Sequence, residues 1–248
     1  MLLVRSAIFV LLHIITAVIF CFISIFVWPF PFKIRYTVMT RWARLNLWLL
    51  AKICRIEYQV TGRENIPDGP CVILCKHQSS WETLALQSVF PPQVWVLKRE
   101  LLWLPFFGWG LACLNPIAID RRAGKKALQQ VIDQGKQRLD SGKCVVVFPE
   151  GTRVPVGQIG RFGIGGAKLA TETGYPAVPV AHDAGKVWPR HGFIKYPGVI
   201  SLVVGSPIST EGNSASEVNR LVQDWMFEQM TKLEGAPPQI KDKNQQNA

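Results

Sequence analysis

Apolar and polar positions divide this chain into stretches of different texture. From Ala7 to Trp28 it reads AIFVLLHIITAVIFCFISIFVW, free of formal charge and long enough to cross a hydrocarbon core. A cleaved signal peptide would carry a shorter apolar region ending in small residues. This run ends in FVWPFPF, so residues 1–32 are expected to be an uncleaved hydrophobic membrane anchor. Its polar interruptions, His13, Thr16 and Ser24, are expected to satisfy local backbone or interfacial hydrogen bonds. Residues 33–56 then set Trp42, Leu45, Trp48, Leu49 and Ile53 at helical spacing among Arg41, Arg44, Lys52 and Arg55. That pattern suits an amphipathic basic helix in the headgroup layer, favoured by its place beside the anchor. It also fits a core-packing helix with a solvated cationic face.

From residue 57 short β-rich runs take over: CVILCKH, QVWVLK, PIAID, CVVVFPE, YPAVPVAH and VISLVVG. Helical stretches at about 80–89, 123–140, 164–173 and 214–233 lie between and after them, the last opening with a capping box from Ser214 to Glu217. Nearly all-apolar strands alternating with helices predict an α/β domain over residues 57–234, its mostly parallel sheet flanked by helices on both faces. The last stretch, residues 235–248, GAPPQIKDKNQQNA, lacks apolar periodicity and is expected to be a disordered tail.

Charge narrows the partners. A formal net charge of +11 favours an anionic one: nucleic acid, a membrane surface or an acidic substrate. The aromatics cluster near the anchor instead of along a basic face, which argues against nucleic acid and for a phospholipid surface. Only Arg5 precedes the apolar run, whereas Lys33, Arg35, Arg41 and Arg44 follow it, so the bulk of the chain is expected on the cytoplasmic face of the inner membrane. The six cysteines form no CxxC pair and read as core residues of a reducing compartment. GxxxxGK[ST], GxSxG and HExxH are all missing from the sequence, and no metal or cofactor is expected.

In an open α/β sheet, sites gather where strands end and helices begin. Such ends carry KHQSSWE, IDRR and FPEGTR. Residues five apart on a continuous helix lie about 140° apart, so His77 can meet Glu82 only from outside the helix. A helix starting at Ser79 or Ser80 would leave His77 at its mouth, with Glu82 in the first turn reaching back. The carboxylate would then hold one imidazole nitrogen protonated and leave the other as a base toward an alcohol. Ser79-Ser80-Trp81-Glu82 is equally a capping box in which Glu82 returns only to backbone. FPEGTR joins a carboxylate, a turn-forming Gly151 and a guanidinium, Arg153, able to grip phosphate in two places. Arg121 and Arg122 could do likewise or simply be solvated.

HQSSWE, IDR, FPEGTR and VPV, in this order, resemble the motifs of the glycerolipid acyltransferase family, nearest to its bacterial 1-acyl-glycerol-3-phosphate branch, over about residues 60–210. The resemblance implies transfer of a fatty acyl group from acyl-ACP or acyl-CoA to the sn-2 hydroxyl of lysophosphatidic acid, giving phosphatidic acid. It makes His77 the general base and Glu82 its orienting partner. It assigns Lys98, Arg121, Glu150, Gly151, Thr152 and Arg153 to substrate binding, and Val178-Pro179-Val180 to structure or acyl lining. Backbone N–H groups at the helix start are expected to stabilise the oxyanion. The chain departs from the family at Glu82 for aspartate, at Asn115 and Ala118 for glycine and phenylalanine, and at His182 for proline. Another lyso-lipid acceptor, or a non-catalytic membrane lipid-binding protein on the same fold, are the alternatives. A hydrolase would need a nucleophile motif that the sequence lacks.

Overall fold

The computed structural model describes residues 1–105 and 107–241, with the side chains of Arg121 and Lys241 outside the description. Two helices come first, α1 (Leu2–Val27) and α2 (Phe32–Leu49), separated by the Pro29 and Pro31 turn. α2 runs on through one π-helical turn, Leu50–Cys54, and stops at Arg55, whose φ of 56° is left-handed. The basic helical segment expected over 33–56 therefore ends just before Ile56, where the first strand begins.

The α/β domain follows in the order β1 (Ile56–Thr61), β2 (Val72–Cys75), α3 (Trp81–Val89), β3 (Gln93–Lys98), α4 (Phe107–Cys113), β4 (Ile117–Ile119), α5 (Lys125–Asp140) and β5 (Cys144–Val147). It continues with β6 (Gln158–Gly160), α6 (Gly165–Thr173), β7 (Ala177–His182), β8 (Gly198–Val204), α7 (Ala215–Glu234) and β9 (Gln239–Lys241). A seven-stranded sheet has the order β1-β8-β7-β2-β5-β3-β4. Only β7 and β8 pair antiparallel in it. β2 and β5 are apolar at every position because both faces of the sheet are covered. Along β2, Val72 and Leu74 join the core under α5, α6 and α7, whereas Ile73 and Cys75 join the core shared with α1, α2 and α3. Gly166 of α6 sits so close to β2 that a Cβ there would meet Leu74 Cδ2 at 2.4 Å.

α1 is bound to the domain along one stripe. Ser6 accepts from Lys195 N at 2.9 Å, Phe9 meets Trp188 edge-on, Thr16 accepts from Trp42 Nε1 at 3.1 Å, and Cys113 reaches the Ser24 carbonyl. The opposite face, with Ile8, Leu11, Ile15, Ile19, Phe22 and Phe26, is exposed. Thr16 and Ser24 also bond to their own helix backbone, as expected, but His13 reaches across to Asn46 Oδ1 at 2.7 Å. α2 buries Tyr36, Met39, Ala43, Asn46 and Leu47 and leaves Lys33, Arg41, Arg44 and Trp48 outside.

The expectation of disorder from residue 235 is corrected at Gln239–Lys241, which pair in parallel with Gln158–Gly160. Backbone ladder bonds hold this short strand, and Ile240 stays exposed, so no apolar period marks it. Residues 242–248 lie outside the described residues.

Candidate active site

β2 ends at Cys75 and α3 begins at Trp81, and the turn between them holds the first motif. Ser79 Oγ accepts from Trp81 N at 3.2 Å, while Glu82 accepts from Ser79 N at 2.9 Å, the carboxylate half of the capping box. The same Oε1 lies 2.7 Å from His77 Nδ1 and accepts from Gln78 N at 3.1 Å. Capping and pairing with His77 coexist because His77 stands before the helix. An ionised carboxylate requires the proton on Nδ1, which leaves Nε2 as the basic nitrogen. The ring stacks on Phe148, with centroids 4.0 Å apart, so FPEGTR supplies the floor beneath the imidazole.

Glu82 is fully buried. Burial alone would raise its pKa. The electrostatic influence of His182, the hydrogen bond and charge of His77, and the Ser79 N–H outweigh that and hold it below the ordinary value. His182, noted in the sequence only as a departure from proline, accepts from Ala184 N at its Nδ1 and donates from Nε2 to the Lys76 carbonyl at 2.9 Å. Its Nε2 lies 3.8 Å from Glu82 Oε2. Burial lowers its pKa despite Glu82, and the two bonds suit the neutral Nε2–H form.

Glu150 does not face substrate space, and its expected role in substrate contact is corrected. Its buried carboxylate accepts from Lys76 Nζ at 2.6 Å, His77 N at 3.0 Å and Gly160 N at 2.9 Å. A buried carboxylate needs such partners, and here they tie the end of β5 to the end of β2. Val154 N donates to the His77 carbonyl at 2.8 Å and completes the brace. Lys76 gave no sign in the sequence, where a lysine at a strand end reads as solvated.

The remaining residues line one cavity of about 540 Å³. His77, Ser80, Lys98, Gly151, Thr152 and Arg153 face it from the strand ends. Its apolar wall comes from α1, α2, α4 and β3, with Phe20, Met39, Trp95, Leu97 and Leu111 among its members. Gly151 has a φ of 69°, as the tight turn requires, and its N–H donates to the Phe148 carbonyl. Arg153 makes no ion pair or side-chain hydrogen bond among the described residues, and its Nε is buried without a partner. The backbone of Arg121 follows β4 in a 3₁₀ turn; its side chain lies outside the described residues. Of the helix-start N–H groups expected for an oxyanion, Gln78 N and Ser79 N bind Glu82, and Trp81 N binds Ser79 Oγ. Val178-Pro179-Val180 is buried inside β7 and does not line the cavity. Asn115, standing for the glycine of the resembled motif, has a φ of 51°. Asparagine tolerates that left-handed backbone better than most residues, so the exchange preserves the turn.

The acyltransferase family model matches residues 57–183. The 1-acyl-sn-glycerol-3-phosphate acyltransferase of Pseudomonas aeruginosa is 47% identical over 235 residues, covering 93% of this chain and 91% of that one. The Saccharomyces cerevisiae protein of the same name is 29% identical over 75% of this chain and 64% of its own. In fold, the crystal structure of the 1-acyl-sn-glycerophosphate (LPA) acyltransferase PlsC from Thermotoga maritima superposes with a TM-score of 0.79 at 23% identity, covering 94% of this chain and 95% of that one. A motif set gathered around one cavity, a family match spanning the strands that build it, and a relative alike along nearly the whole length agree: the chain belongs to the acyltransferase family.

Proposed function

We propose that the protein transfers a fatty acyl group from a thioester carrier, acyl-ACP or acyl-CoA, to the sn-2 hydroxyl of 1-acyl-glycerol-3-phosphate, giving phosphatidic acid. The observation that carries this reading is the His77 ring, held through Nδ1 by Glu82 at 2.7 Å, in a cavity that also holds Lys98 and Arg153. Nε2 takes the proton of the acceptor hydroxyl as its oxygen bonds to the thioester carbonyl carbon. Glu82 stabilises the imidazolium that forms. The tetrahedral intermediate then collapses, the C–S bond breaks, and the departing thiolate takes the proton back from His77. Products are the new ester and a free thiol carrier.

Lys98, Arg121 and Arg153 supply positive charge for the acceptor phosphate and fix the hydroxyl near His77. Gly151 and Thr152 shape that wall, and Glu150 acts through position, holding the peptide that carries His77. The Ser80 and Thr152 hydroxyls, from two residues of the cavity wall, are the donors for the oxyanion. Acyl chains occupy the apolar wall.

One helix among the described residues, Leu2–Val27, is long and apolar enough to cross a membrane. Because one stripe of α1 is bound to the domain, its exposed apolar face enters the bilayer while the domain stays at the surface. The positive excess of Lys33, Arg35, Arg41 and Arg44 after the helix favours the anionic cytoplasmic leaflet of the inner membrane. The test is purified protein in detergent with a panel of lyso-lipids and both thioesters, with products identified by mass spectrometry. Phosphatidic acid formed with thiol release supports the reading; a retained lyso-lipid with intact thioester would replace it with a binding role.

A further inference from the structure

The connection from β7 to β8 builds a second pocket that no motif announced. It has a volume of about 280 Å³ and is lined by Ser80, Arg153, Trp188, Arg190, His191 and Lys195, with Pro189, Gly192 and Phe193 completing the wall. Ser80, Arg153, Arg190 and His191 also line the main cavity, so the two spaces are continuous. The wall carries Arg153, Arg190 and Lys195 and no carboxylate, and none of the three makes an ion pair among the described residues. Clustered cations in a partly buried wall repel one another and are stabilised when an anion enters.

The segment is held in place. Arg190 donates from Nη1 to the Arg153 carbonyl at 2.6 Å and from Nε to His191 Nε2 at 3.0 Å. That second bond makes Nδ1 the protonated nitrogen of neutral His191, a further donor. His191 has a φ of 58°, a left-handed backbone that costs a histidine strain and often marks a functional position. Lys195 lies over the Trp188 ring at 5.0 Å, and Trp188 meets α1 through Phe9.

The lining decides what this pocket adds. Lys98, at the end of β3, lines the main cavity only, whereas Arg153, Arg190 and His191 line both spaces. Both substrates of the proposed reaction carry phosphate, and one cationic pole cannot hold two.

We propose that Arg190 and His191, with the Arg153 guanidinium, form a second phosphate subsite of the active site, in a pocket that Lys98 does not line. The inference rests on the acyl-transfer reading for its two candidate sources, the acceptor's phosphate and the phosphate of the donor's pantetheine arm. The chemistry recognised is the same in either case.

The test follows thermal unfolding of the full chain in detergent with glycerol 3-phosphate, 4′-phosphopantetheine, and their phosphate-free counterparts glycerol and pantetheine. A phosphate-bearing probe should raise the midpoint of wild type where its counterpart does not. Arg190→Gln, whose amide nitrogen stands where Nε donates to His191, should bind that probe about tenfold more weakly, the loss expected for one charge-assisted hydrogen bond. His191→Gly removes the ring at a backbone angle glycine accepts, so it should unfold no earlier than wild type yet bind the probe severalfold more weakly. The probe whose binding both variants weaken assigns the source: glycerol 3-phosphate the acceptor, phosphopantetheine the donor. Equal response to the phosphate-free probes, or unchanged affinity in both variants, overturns the subsite. Phosphate binding without acyl transfer by wild type would instead sink the proposed reaction and leave the subsite standing.

Discussion

Glu82 Oε1 lies 2.7 Å from His77 Nδ1 and accepts from Ser79 N at 2.9 Å, so one carboxylate orients the imidazole and caps the helix that carries it. The start of α3 and the tautomer of His77 are thereby the same structural fact. A glutamate, one methylene longer than aspartate, spans both tasks from the first turn.

Substituting His77 by Ala should lower acyl transfer by about 10²–10⁴-fold, the range of a positioned general base, with the fold intact. Its side chain is largely buried against Phe148 but carries no backbone brace, so the unfolding midpoint in detergent should move little. Full residual turnover would remove His77 from the mechanism.

Glu82→Gln keeps the shape of the carboxylate and loses its charge. Turnover should fall by about 10²-fold or more, because neither the Nδ1–H form nor the imidazolium is then favoured. Steady-state kinetics should show the loss in kcat more than in the acceptor KM, and a pure KM effect would contradict the orienting role.

The Lys76–Glu150 pair, at 2.6 Å with both side chains fully buried, predicts a stability effect where the sequence suggested a binding one. Lys76→Met alone leaves a buried carboxylate without its counter-charge and should cost about 3–5 kcal/mol. Adding Glu150→Gln should recover part of that in denaturant unfolding, and a double variant as unstable as the sum of the two singles would refute the coupling.

Stability should also fall on acidification in two windows. Burial holds His182 below its ordinary 6.5, so below that pH the unfolded chain binds a proton that the native state refuses, and stability drops as pH falls. Glu82, held below its ordinary 4.5, adds a second loss as pH falls through that region toward its lowered native value. Thermal midpoints measured from neutral to acid pH should show both, and His182→Asn should flatten the first.

Gly110 lines the apolar wall, and a Cβ there would meet Met39 Cε at 3.5 Å and Cys21 Sγ at 3.7 Å, ordinary contact distances. Gly110→Leu should therefore fold and fill cavity space. With about 0.8 kcal/mol per excluded methylene, thioester competition should show preference moving to shorter acyl chains. An unchanged chain-length profile would place the acyl chain elsewhere.

Local rules made most of the architecture readable in the chain. A period of two or of 3.6, caps such as Ser214 with Glu217, and all-apolar strands are written within a few residues of one another. They were enough for the covered α/β sheet and for the placing of His77 outside its helix. The short elements β6, β9 and α4 left no such trace, since a strand or helix of few residues has too little period to read.

Contacts across the sheet were beyond that reading, because strand order brings together residues far apart in the chain. Lys76 meets Glu150 across 74 positions, and His182 donates to the Lys76 carbonyl across 106. A buried lysine and a solvated one look alike in sequence; the difference is made by which carboxylate the folded sheet sets beside it. The sequence by itself determined which residues stand at strand ends and what chemistry they own. Tertiary structure decided which of them face the cavity, with Arg153 and Arg190 turned toward it and Glu150 turned under His77. Burial and pairing depend on neighbours that only the closed sheet assembles.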